Sequence, residues 1–313
     1  MKRLIAILLT VSALVVSLCS CYSLKNDGKI TIGVMSGPTG MGMAKLMNDY
    51  KDSEKYEFKV YSDPTVATAD LANNTVQMLC LPTNTAANLA SKKADYISTL
   101  AINCLGSLYL MTDGNTEINS ISELEGKTIY ASVPSSTTGP IIRYILEKNN
   151  VNATIEFVQD HDALVAKVAQ NSASIVVLPE PKVTAALVKN PAYSVDLNLS
   201  VEWSRISDEP LTMGCIVARN DFISENRRAV NKFLEEYEAS INYIGNKNNN
   251  EKAAQMIVDA GVLPKLPIAK RALNNLYGSI VYIDGADMKS ALKAFYTAIN
   301  NKQPSDSFYY TSK

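Results

Sequence analysis

Three turns rich in hydroxyl side chains are the strongest candidates for a binding site. Each follows an apolar, strand-like run and opens a segment with helical spacing. Because the first backbone amides of a helix have no partner within it, such a turn offers donors to an anion or a polarised carbonyl. The residues of these turns are Ser36, Gly37, Pro38, Thr39, Gly40, Met41, Thr83, Asn84, Ser135, Ser136, Thr137 and Thr138. Plain N-capping explains any one cluster equally well, so the predicted site depends on all three together.

Glu180 and Trp203 are the most distinctive single residues. Glu180 lies between two prolines directly after an apolar run, so its carboxylate is rigidly placed to accept hydrogen bonds from a ligand amine. The alternative is a carboxylate that stabilises the start of a helix. Trp203 is the only tryptophan. It stacks on a planar ligand in one interpretation and fills a hydrophobic gap beneath a loop in the other.

Catalytic and metal-binding patterns are missing from the sequence. The single histidine, His161, lies between two aspartates at a predicted helix start, where we expect a solvated cap. It leaves no Ser-His-Asp or Cys-His arrangement and no clustered metal ligands. The glycines between Gly33 and Gly42 are not followed by the Gly-Lys-Ser/Thr of a phosphate loop. We therefore predict no enzymatic activity, no cofactor and no metal.

The composition is that of a folded protein. Of its 313 residues 47% are hydrophobic and 19% charged, and the formal net charge is −1. Without a basic stripe, nucleic acid is a poor candidate partner. Cys80, Cys104 and Cys215 lie in apolar runs at irregular spacing, which predicts buried free thiols rather than disulfides.

Residues 1–21 are typical of a lipoprotein signal peptide. Two basic residues precede an uncharged apolar run from Leu4 to Leu18. This run is shorter than the roughly 20 apolar residues that a membrane-spanning helix needs. The residues Leu18-Cys19-Ser20-Cys21 resemble a lipobox, which predicts cleavage before Cys21 and two acyl chains that anchor the protein to the extracytoplasmic face of a bacterial membrane. Residues 22–28 then form a tether; an ordinary secretory signal is the alternative.

Strand-like and helical patterns alternate along the rest of the chain, which predicts an α/β fold with a largely parallel sheet. Two blocks of strand–helix units are predicted. They include a helix over residues 41–50, strands over residues 56–61 and 154–158, and a helix over residues 182–189. An extended segment at residues 96–111 separates the first block from the second, and another at residues 211–218 separates the second block from the C-terminal region. From Ser224 onwards the pattern predicts helices only.

Three segments stand out in this order of elements: Ile30-Thr31-Ile32-Gly33-Val34 with the turn after it, Ile121 to Ile129, and Leu178-Pro179-Glu180-Pro181. With these segments, the order of elements resembles the type II periplasmic binding-protein fold. It is most similar to the nitrate, taurine and sulfonate group of ABC-transporter solute-binding proteins, which also includes binding proteins for thiamine precursors. The resemblance implies two βα lobes joined by crossing strands, with a helical C-terminal tail. Lobe 1 would comprise residues 29–110 and 217–313, and lobe 2 residues 111–216.

The resemblance also implies a function. The lobes would close by a hinge motion on a small polar or heterocyclic ligand, and the lipoprotein, usually a monomer in this group, would deliver it to an ABC permease with its ATPase. Crossing strands often line the cleft in the family, which adds Tyr109, Thr212 and Met213 to the candidate residues.

The identity of the ligand stays open at this point. The turns contain no arginine, which weakens the case for a strongly anionic ligand, and Glu180 with Trp203 favours a planar, donor-bearing heterocycle of the pyrimidine type. Arg143 or Arg205 would reverse this preference if either reached the cleft. Two other functions are compatible with the sequence: a ligand-sensing or partner-binding surface lipoprotein, and a pyrimidine-synthesising enzyme of the same fold, which would require more histidines.

Overall fold

The computed structural model describes residues 28–132 and 137–312. The chain forms two β-sheets with helices packed on both. The strands are β1 Ile30–Met35, β2 Tyr56–Tyr61, β3 Met78–Pro82, β4 Ile97–Leu105, β5 Leu108–Thr112, β6 Thr128–Ser132, β7 Thr154–Val158, β8 Ile175–Pro179, β9 Ser194–Asn198, β10 Thr212–Arg219 and β11 Ile280–Ile283. The helices are α1 Pro38–Met41, α2 Ala44–Asp49, α3 Pro64–Ala72, α4 Thr83–Lys92, α5 Thr138–Lys148, α6 His161–Ala169, α7 Lys182–Lys189, α8 Leu199–Ser204, α9 Asn220–Ile244, α10 Asn250–Asp259, α11 Leu266–Asn275 and α12 Gly285–Ala298.

Three neighbouring strands are parallel at one end of each sheet, and the other pairs are antiparallel, so the sheets are mixed rather than largely parallel as predicted. The six-stranded sheet has the order β11-β4-β10-β3-β1-β2, with β1 parallel to β2 and β3. The five-stranded sheet has the order β7-β6-β8-β5-β9, with β6 parallel to β7 and β8. In such sheets ligands bind outside the carboxyl ends of the parallel strands, so the turns after β1, β3, β6 and β8 are the places where a site can form.

The chain passes between the sheets twice. It leaves the six-stranded sheet at Gly106-Ser107, between β4 and β5, and returns through residues 205–211 before β10. The two crossovers lie side by side, because the Gly106 amide donates to the Leu211 carbonyl at 2.8 Å. Gly106 has φ +58°, a left-handed conformation that favours glycine, and a Cβ there would lie 2.3 Å from Ser200 Oγ. These points lie a few residues before the predicted lobe boundaries.

The α/β fold with two sets of strand–helix units and a helical C-terminal tail agrees with the prediction, but the tail does not consist of helices only. The edge strand β11 lies inside that region and pairs antiparallel with β4. A four-residue apolar run between helices has too little length for its period to distinguish strand from helix. The edge strand β9 was missed for a similar reason, since its alternating pattern is short and largely exposed.

The helix predicted over residues 41–50 is interrupted at Gly42 and Met43, which lie between α1 and α2. In a continuous helix the Leu46 amide would donate to the Gly42 carbonyl. Instead, the Ser240 hydroxyl of α9 donates to the Gly42 carbonyl at 2.7 Å and accepts from the Leu46 amide at 3.0 Å. A side chain of α9, almost 200 residues away in sequence, therefore occupies the place of one helical hydrogen bond.

His161 is not the solvated cap that the sequence predicts. Asp160 caps α6, because its side chain accepts from the Ala163 amide at 2.8 Å. The His161 ring is largely shielded, and its buried Nδ1 has no hydrogen-bond partner in the described ranges. Burial is the main cause that lowers the pKa of His161 to about 4; the positive charge of Lys182 also lowers it, whereas Asp160 and Asp162 raise it.

The predicted buried thiols are confirmed. Cys80, Cys104 and Cys215 are free and completely buried. Burial raises the pKa of Cys80 and of Cys104 to about 12 and that of Cys215 further. A thiol held in its neutral form in the core is chemically inert.

Candidate ligand-binding site

The turn after β1 is shaped by two glycines. Gly37 has φ +92°, and a Cβ on Gly40 would lie 1.9 Å from the Met35 carbonyl oxygen, so the one-turn helix α1 can form only with glycine at these positions. Ser36 is exposed and Pro38 and Thr39 are half-buried. Met41 is fully buried in the core. Ser36 therefore faces outward, Pro38 and Thr39 are partly covered, and Met41 packs behind them.

The turns after β3 and β6 come together. Thr83 begins α4, and its hydroxyl donates to the Thr212 carbonyl of β10 at 3.1 Å. Its neighbour Asn84 accepts a hydrogen bond of 2.7 Å from the hydroxyl of Thr137, the residue directly before α5 on the other sheet. Asn84 and Thr137 are both buried. Two helix N-termini, one from each sheet, thus meet at one buried hydrogen bond.

The rest of the third predicted cluster divides in two. Thr138 is the first residue of α5 and is buried beside this joint. Ser135 and Ser136 lie outside the described residues.

The floor beneath the turns is formed by β4 and β10. A Cβ on Gly214 of β10 would lie 2.8 Å from Thr39 Oγ1 and 2.6 Å from Asn103 Oδ1. Asn103, on β4, is 1% exposed, and its Nδ2 donates to the Tyr237 hydroxyl at 3.0 Å. The buried oxygens Asn103 Oδ1 and Thr212 Oγ1 have no hydrogen-bond partner in residues 28–132 and 137–312.

Asn103 was not predicted from the sequence. The signal was a single amide inside the long apolar run of β4, and such a residue is buried at a cost unless it has a partner. Met213, which was predicted, is half-buried and packs against the hydrophobic core on both sides of its sheet.

Glu180 is buried at the start of α7 with its carboxylate already hydrogen-bonded. It accepts from the Thr184 amide at 3.3 Å and the Thr184 hydroxyl at 3.1 Å, and also from the side-chain amide of Asn275 on α11. This arrangement favours the helix-start interpretation over direct capture of a ligand amine. The turn still borders the candidate site, since Pro181 Cδ lies 3.8 Å from where a Gly37 Cβ would be.

Tyr109 contacts the same residue, Asn275, that hydrogen-bonds to Glu180. Its hydroxyl donates to the Asn275 backbone carbonyl at 2.8 Å, and burial raises its pKa to about 12. Tyr109, Glu180 and Asn275 border an open groove of about 460 Å³ that is also lined by α7 and β9. Tyr109 is thus part of the contact that joins the two units.

Trp203 lies in the core, on α8. Its ring is 1% exposed and packs between Tyr144 and Phe295, with ring centroids 5.1 and 6.0 Å away. The indole N–H donates to the Glu209 carbonyl at 2.9 Å. These contacts favour the hydrophobic-gap interpretation.

The two arginines that were considered as cleft cations contact other groups. Arg205 forms an ion pair with Glu202, and the Arg143 guanidinium lies over the Phe157 ring, 5.2 Å from its centroid. Neither of these contacts is with a residue of the joint between α4 and α5.

Two features are absent from the described ranges. These ranges hold no group of three or more His, Cys, Asp or Glu side chains placed to share a metal ion. None of their helices combines the length and the apolarity that crossing a membrane requires.

A family model described as "ABC transporter, phosphonate, periplasmic substrate-binding protein" matches residues 51–256. The sequence matches no curated protein at a significant level.

Solved structures share the fold over most of the chain. An ABC transporter protein from Parabacteroides distasonis has a TM-score of 0.74 and 17% identity, covering 92% of this chain and 100% of that one. The aliphatic sulphonate binding protein SsuA from Escherichia coli has a TM-score of 0.72 and 14% identity, covering 91% of this chain and 93% of that one. The nitrate-binding protein NrtA from Synechocystis PCC 6803 has a TM-score of 0.65 and 13% identity, covering 87% of this chain and 81% of that one. At these identities the likeness shows the fold alone, and it confirms the predicted binding-protein fold.

The family match extends over well more than half of the chain and includes strands of both sheets. It confirms the resemblance to ABC-transporter solute-binding proteins that the sequence suggested. The chain therefore belongs to the phosphonate family of periplasmic substrate-binding proteins of ABC transporters.

Proposed function

We propose that this substrate-binding protein captures a small oxyanion of the phosphonate or phosphate type at the joint of α4 and α5. The observation that carries the proposal is the buried hydrogen bond between Thr137 and Asn84, which brings two helix N-termini from different sheets together. Both helices are long enough for a substantial dipole, with 10 and 11 residues. Each N-terminus carries a partial positive charge of roughly half an elementary charge.

An anion in this place needs no arginine. Hydroxyl groups and unpaired backbone amides at helix starts are sufficient to bind a phosphoryl group. Thr83 and Thr138 are the first residues of the two helices, and Thr39 Oγ1 lies against Gly214 of the buried polar floor, where the Thr83 hydroxyl donates to the Thr212 carbonyl. Hydrogen bonds to a charged group are stronger than neutral ones, about 1.5–3 kcal/mol each, so a few of them supply micromolar affinity.

The structure gives less support to a planar heterocyclic ligand than the sequence did. The preference for a pyrimidine rested on Glu180 and Trp203. The Glu180 carboxylate is hydrogen-bonded to Thr184 and Asn275, and Trp203 is packed among aromatic core residues. The family description names phosphonate, and the structural relatives SsuA and NrtA are named for sulphonate and nitrate, which are oxyanions too.

The remaining parts of the proposal concern attachment and delivery. Cys21 and the residues before it lie outside the described residues, and their sequence pattern supports a diacylated anchor on the extracytoplasmic face of the membrane. The protein then acts as a monomer that passes its ligand to the permease and ATPase and catalyses no reaction. The two crossovers, held together by the Gly106–Leu211 hydrogen bond, serve as the hinge.

The test is calorimetry on the soluble form that starts after Cys21. Methylphosphonate, phosphate, methanesulfonate, nitrate and a set of pyrimidines are titrated separately, after the sample has been unfolded and refolded to remove any co-purified ligand. We expect micromolar or tighter binding of a phosphonate or phosphate, and a loss of about tenfold or more in Thr137→Val, which removes the hydroxyl at nearly constant shape.

The matched control is Thr68→Val. Thr68 is on α3, and its hydroxyl donates to the Pro64 carbonyl within the same helix. This variant should bind as the wild type does. Binding of a pyrimidine alone, abolished by Glu180→Ala, would reject the oxyanion proposal and restore the heterocycle.

A further inference from the structure

The open groove that Tyr109 and Glu180 border lies between two parts of the fold. One side is α11, which packs with the six-stranded sheet, and the other is α7 with β9 of the five-stranded sheet. Its volume of about 460 Å³ is within the range of about 300–1,000 Å³ that is usual for ligand pockets, which form preferentially where two units meet. Two residues that the sequence predicts as ligand contacts thus line a groove that the oxyanion site does not use.

Arg271 is the cation of this groove. It precedes Asn275 by four residues on α11, so the two side chains lie on the same face of that helix and both line the groove. Arg271 is exposed, and it forms no ion pair or hydrogen bond with another residue in the ranges 28–132 and 137–312. A guanidinium presents its donors in a fixed fork that matches a carboxylate or a similar anionic group.

The carboxylate that lines the groove does not neutralise Arg271. Glu180 is buried and accepts two hydrogen bonds from Thr184 and one from Asn275. No ion pair joins Glu180 to Arg271 in the part of the chain that the structure describes. The charge left without a partner in the groove is therefore positive.

The neutral polar side chains of the groove add a donor to this charge. Tyr109 and Tyr193 already donate their hydroxyl hydrogens to backbone carbonyls, at 2.8 and 2.7 Å. Asn198 accepts from the Ser200 amide through Oδ1 at 2.9 Å, and its Nδ2 has no acceptor among the described residues. Arg271 and Asn198 thus have donors available for an acceptor that comes from outside the chain.

Apolar side chains form the rest of the lining. Val183 and Leu187 lie one turn apart on α7, and Val195 lies on β9. Val195 is 41% exposed and Leu187 is half-buried, so both leave apolar surface in contact with solvent. One exposed apolar side chain is ordinary, but an apolar wall beside a cation at a pocket between two units is typical of a binding site.

We propose that this groove is a second binding site, which takes a small organic anion with an apolar body, such as a medium-chain carboxylate. Arg271 binds the anionic group, Asn198 donates to it, and the wall of Val183, Leu187 and Val195 covers the apolar body. The groove shares no lining residue with the joint of α4 and α5. The proposal therefore stands independently of the oxyanion site.

Hexanoate is the probe, and 1-hexanol and acetate are the matched ligands. Each is titrated into the refolded form that starts after Cys21, and binding is followed by saturation-transfer NMR of the ligand. We expect hexanoate to bind with a Kd of about 1 mM or tighter, an ordinary efficiency for a ligand of this size. Hexanol lacks the charge and acetate lacks the apolar body, so both should bind at least about tenfold more weakly.

Two variants and a control assign the probe to the groove. Arg271→Gln should raise the Kd for hexanoate by about fivefold to tenfold, because it removes hydrogen bonds to a charged group. Leu187→Ala should raise it by about threefold through the loss of apolar contact. Arg228→Gln is the control, since Arg228 on α9 is also exposed and has no partner among the described residues, but does not line the groove.

The outcomes distinguish this site from the oxyanion site. Absence of hexanoate binding, equal binding of hexanol, or an unchanged Kd in Arg271→Gln overturns the groove proposal and leaves the oxyanion site standing. Thr137→Val should bind hexanoate as the wild type does; a weaker Kd in this variant would place hexanoate at the joint of α4 and α5 and overturn the second site. Hexanoate binding that needs Arg271, in a protein that binds no oxyanion, supports the groove and rejects the oxyanion proposal alone.

Discussion

The side-chain amide of Asn275 donates to the buried carboxylate of Glu180, and this hydrogen bond joins α11 of the six-stranded unit to the start of α7 in the five-stranded unit. The Tyr109 hydroxyl donates to the backbone carbonyl of the same asparagine at 2.8 Å. Glu180 therefore has two roles in the fold: it stabilises the start of a helix, and it holds the two units together.

Removing the Asn275 side chain should loosen the contact between the units without unfolding either one. We expect Asn275→Ala to increase the radius of gyration of the ligand-free protein in small-angle X-ray scattering. It should also raise the Kd for the bound oxyanion by about fivefold, the equivalent of one hydrogen bond of about 1 kcal/mol. Asn48→Ala, on the exposed surface of α2, is the control. An unchanged radius and affinity would mean that this hydrogen bond has no part in closure.

Replacing Glu180 tests its structural role directly. Glu180→Ala leaves the Thr184 amide and hydroxyl without their acceptor, so the free energy of unfolding should fall by about 1–3 kcal/mol. Glu180→Gln keeps an acceptor oxygen, so its free energy of unfolding should fall less than that of Glu180→Ala. Urea denaturation measures both. Glu180→Gln should bind methylphosphonate nearly as well as the wild type; a loss of more than tenfold would return Glu180 to the ligand-contacting residues.

Trp203→Ala should be strongly destabilising. Truncation of a buried tryptophan leaves a large cavity, and substitutions of this kind cost about 3–5 kcal/mol. Because Trp203 is the only tryptophan and is 1% exposed, its fluorescence should be blue-shifted in the native protein and unchanged when ligand binds. Quenching at saturating ligand would contradict its placement in the core.

The low pKa of His161 predicts a specific component of acid sensitivity. Its pKa is about 4 in the folded chain, below the ordinary value of 6.5, so between these values the unfolded chain binds more protons. Stability contributed by the neutral ring is present above pH 6.5 and is lost as the pH falls toward 4. The loss should be about 2–3 kcal/mol at most.

The matched variant for this measurement is His161→Gln, a neutral side chain that cannot take up the proton. Its urea midpoint should fall less than that of the wild type between pH 7 and pH 4.5. The acid sensitivity caused by carboxylates is common to both proteins. Identical pH profiles would show that the histidine titrates normally in the folded state.

The three core thiols should react only after unfolding. Burial holds the pKa of Cys80 and Cys104 near 12, so almost no thiolate exists at pH 8. In the form that starts after Cys21, an aromatic disulfide reagent should titrate no thiol in the native state and three in guanidinium chloride. Rapid reaction of one native thiol would indicate local opening around its strand.

The sequence by itself determined the fold class, because strand and helix periods depend on residues that are close in the chain. β2 over Tyr56–Tyr61, β7 over Thr154–Val158 and α7 over Lys182–Lys189 were predicted at their observed boundaries. The turns that precede helices were also predictable, since glycine, proline and hydroxyl residues act through the local backbone. The same holds for the burial of the thiols, which lie in continuous apolar runs.

Tertiary structure alone decided which polar groups have partners. The Ser240 hydroxyl that divides α1 from α2, the Asn275 amide on Glu180 and the rings around Trp203 all come from distant parts of the chain. A carboxylate or an indole has the same local sequence signal whether it faces a ligand or the core. Asn103 could be recognised only once β4 lay beside β10, because an unpaired acceptor is defined by the neighbours that fail to reach it.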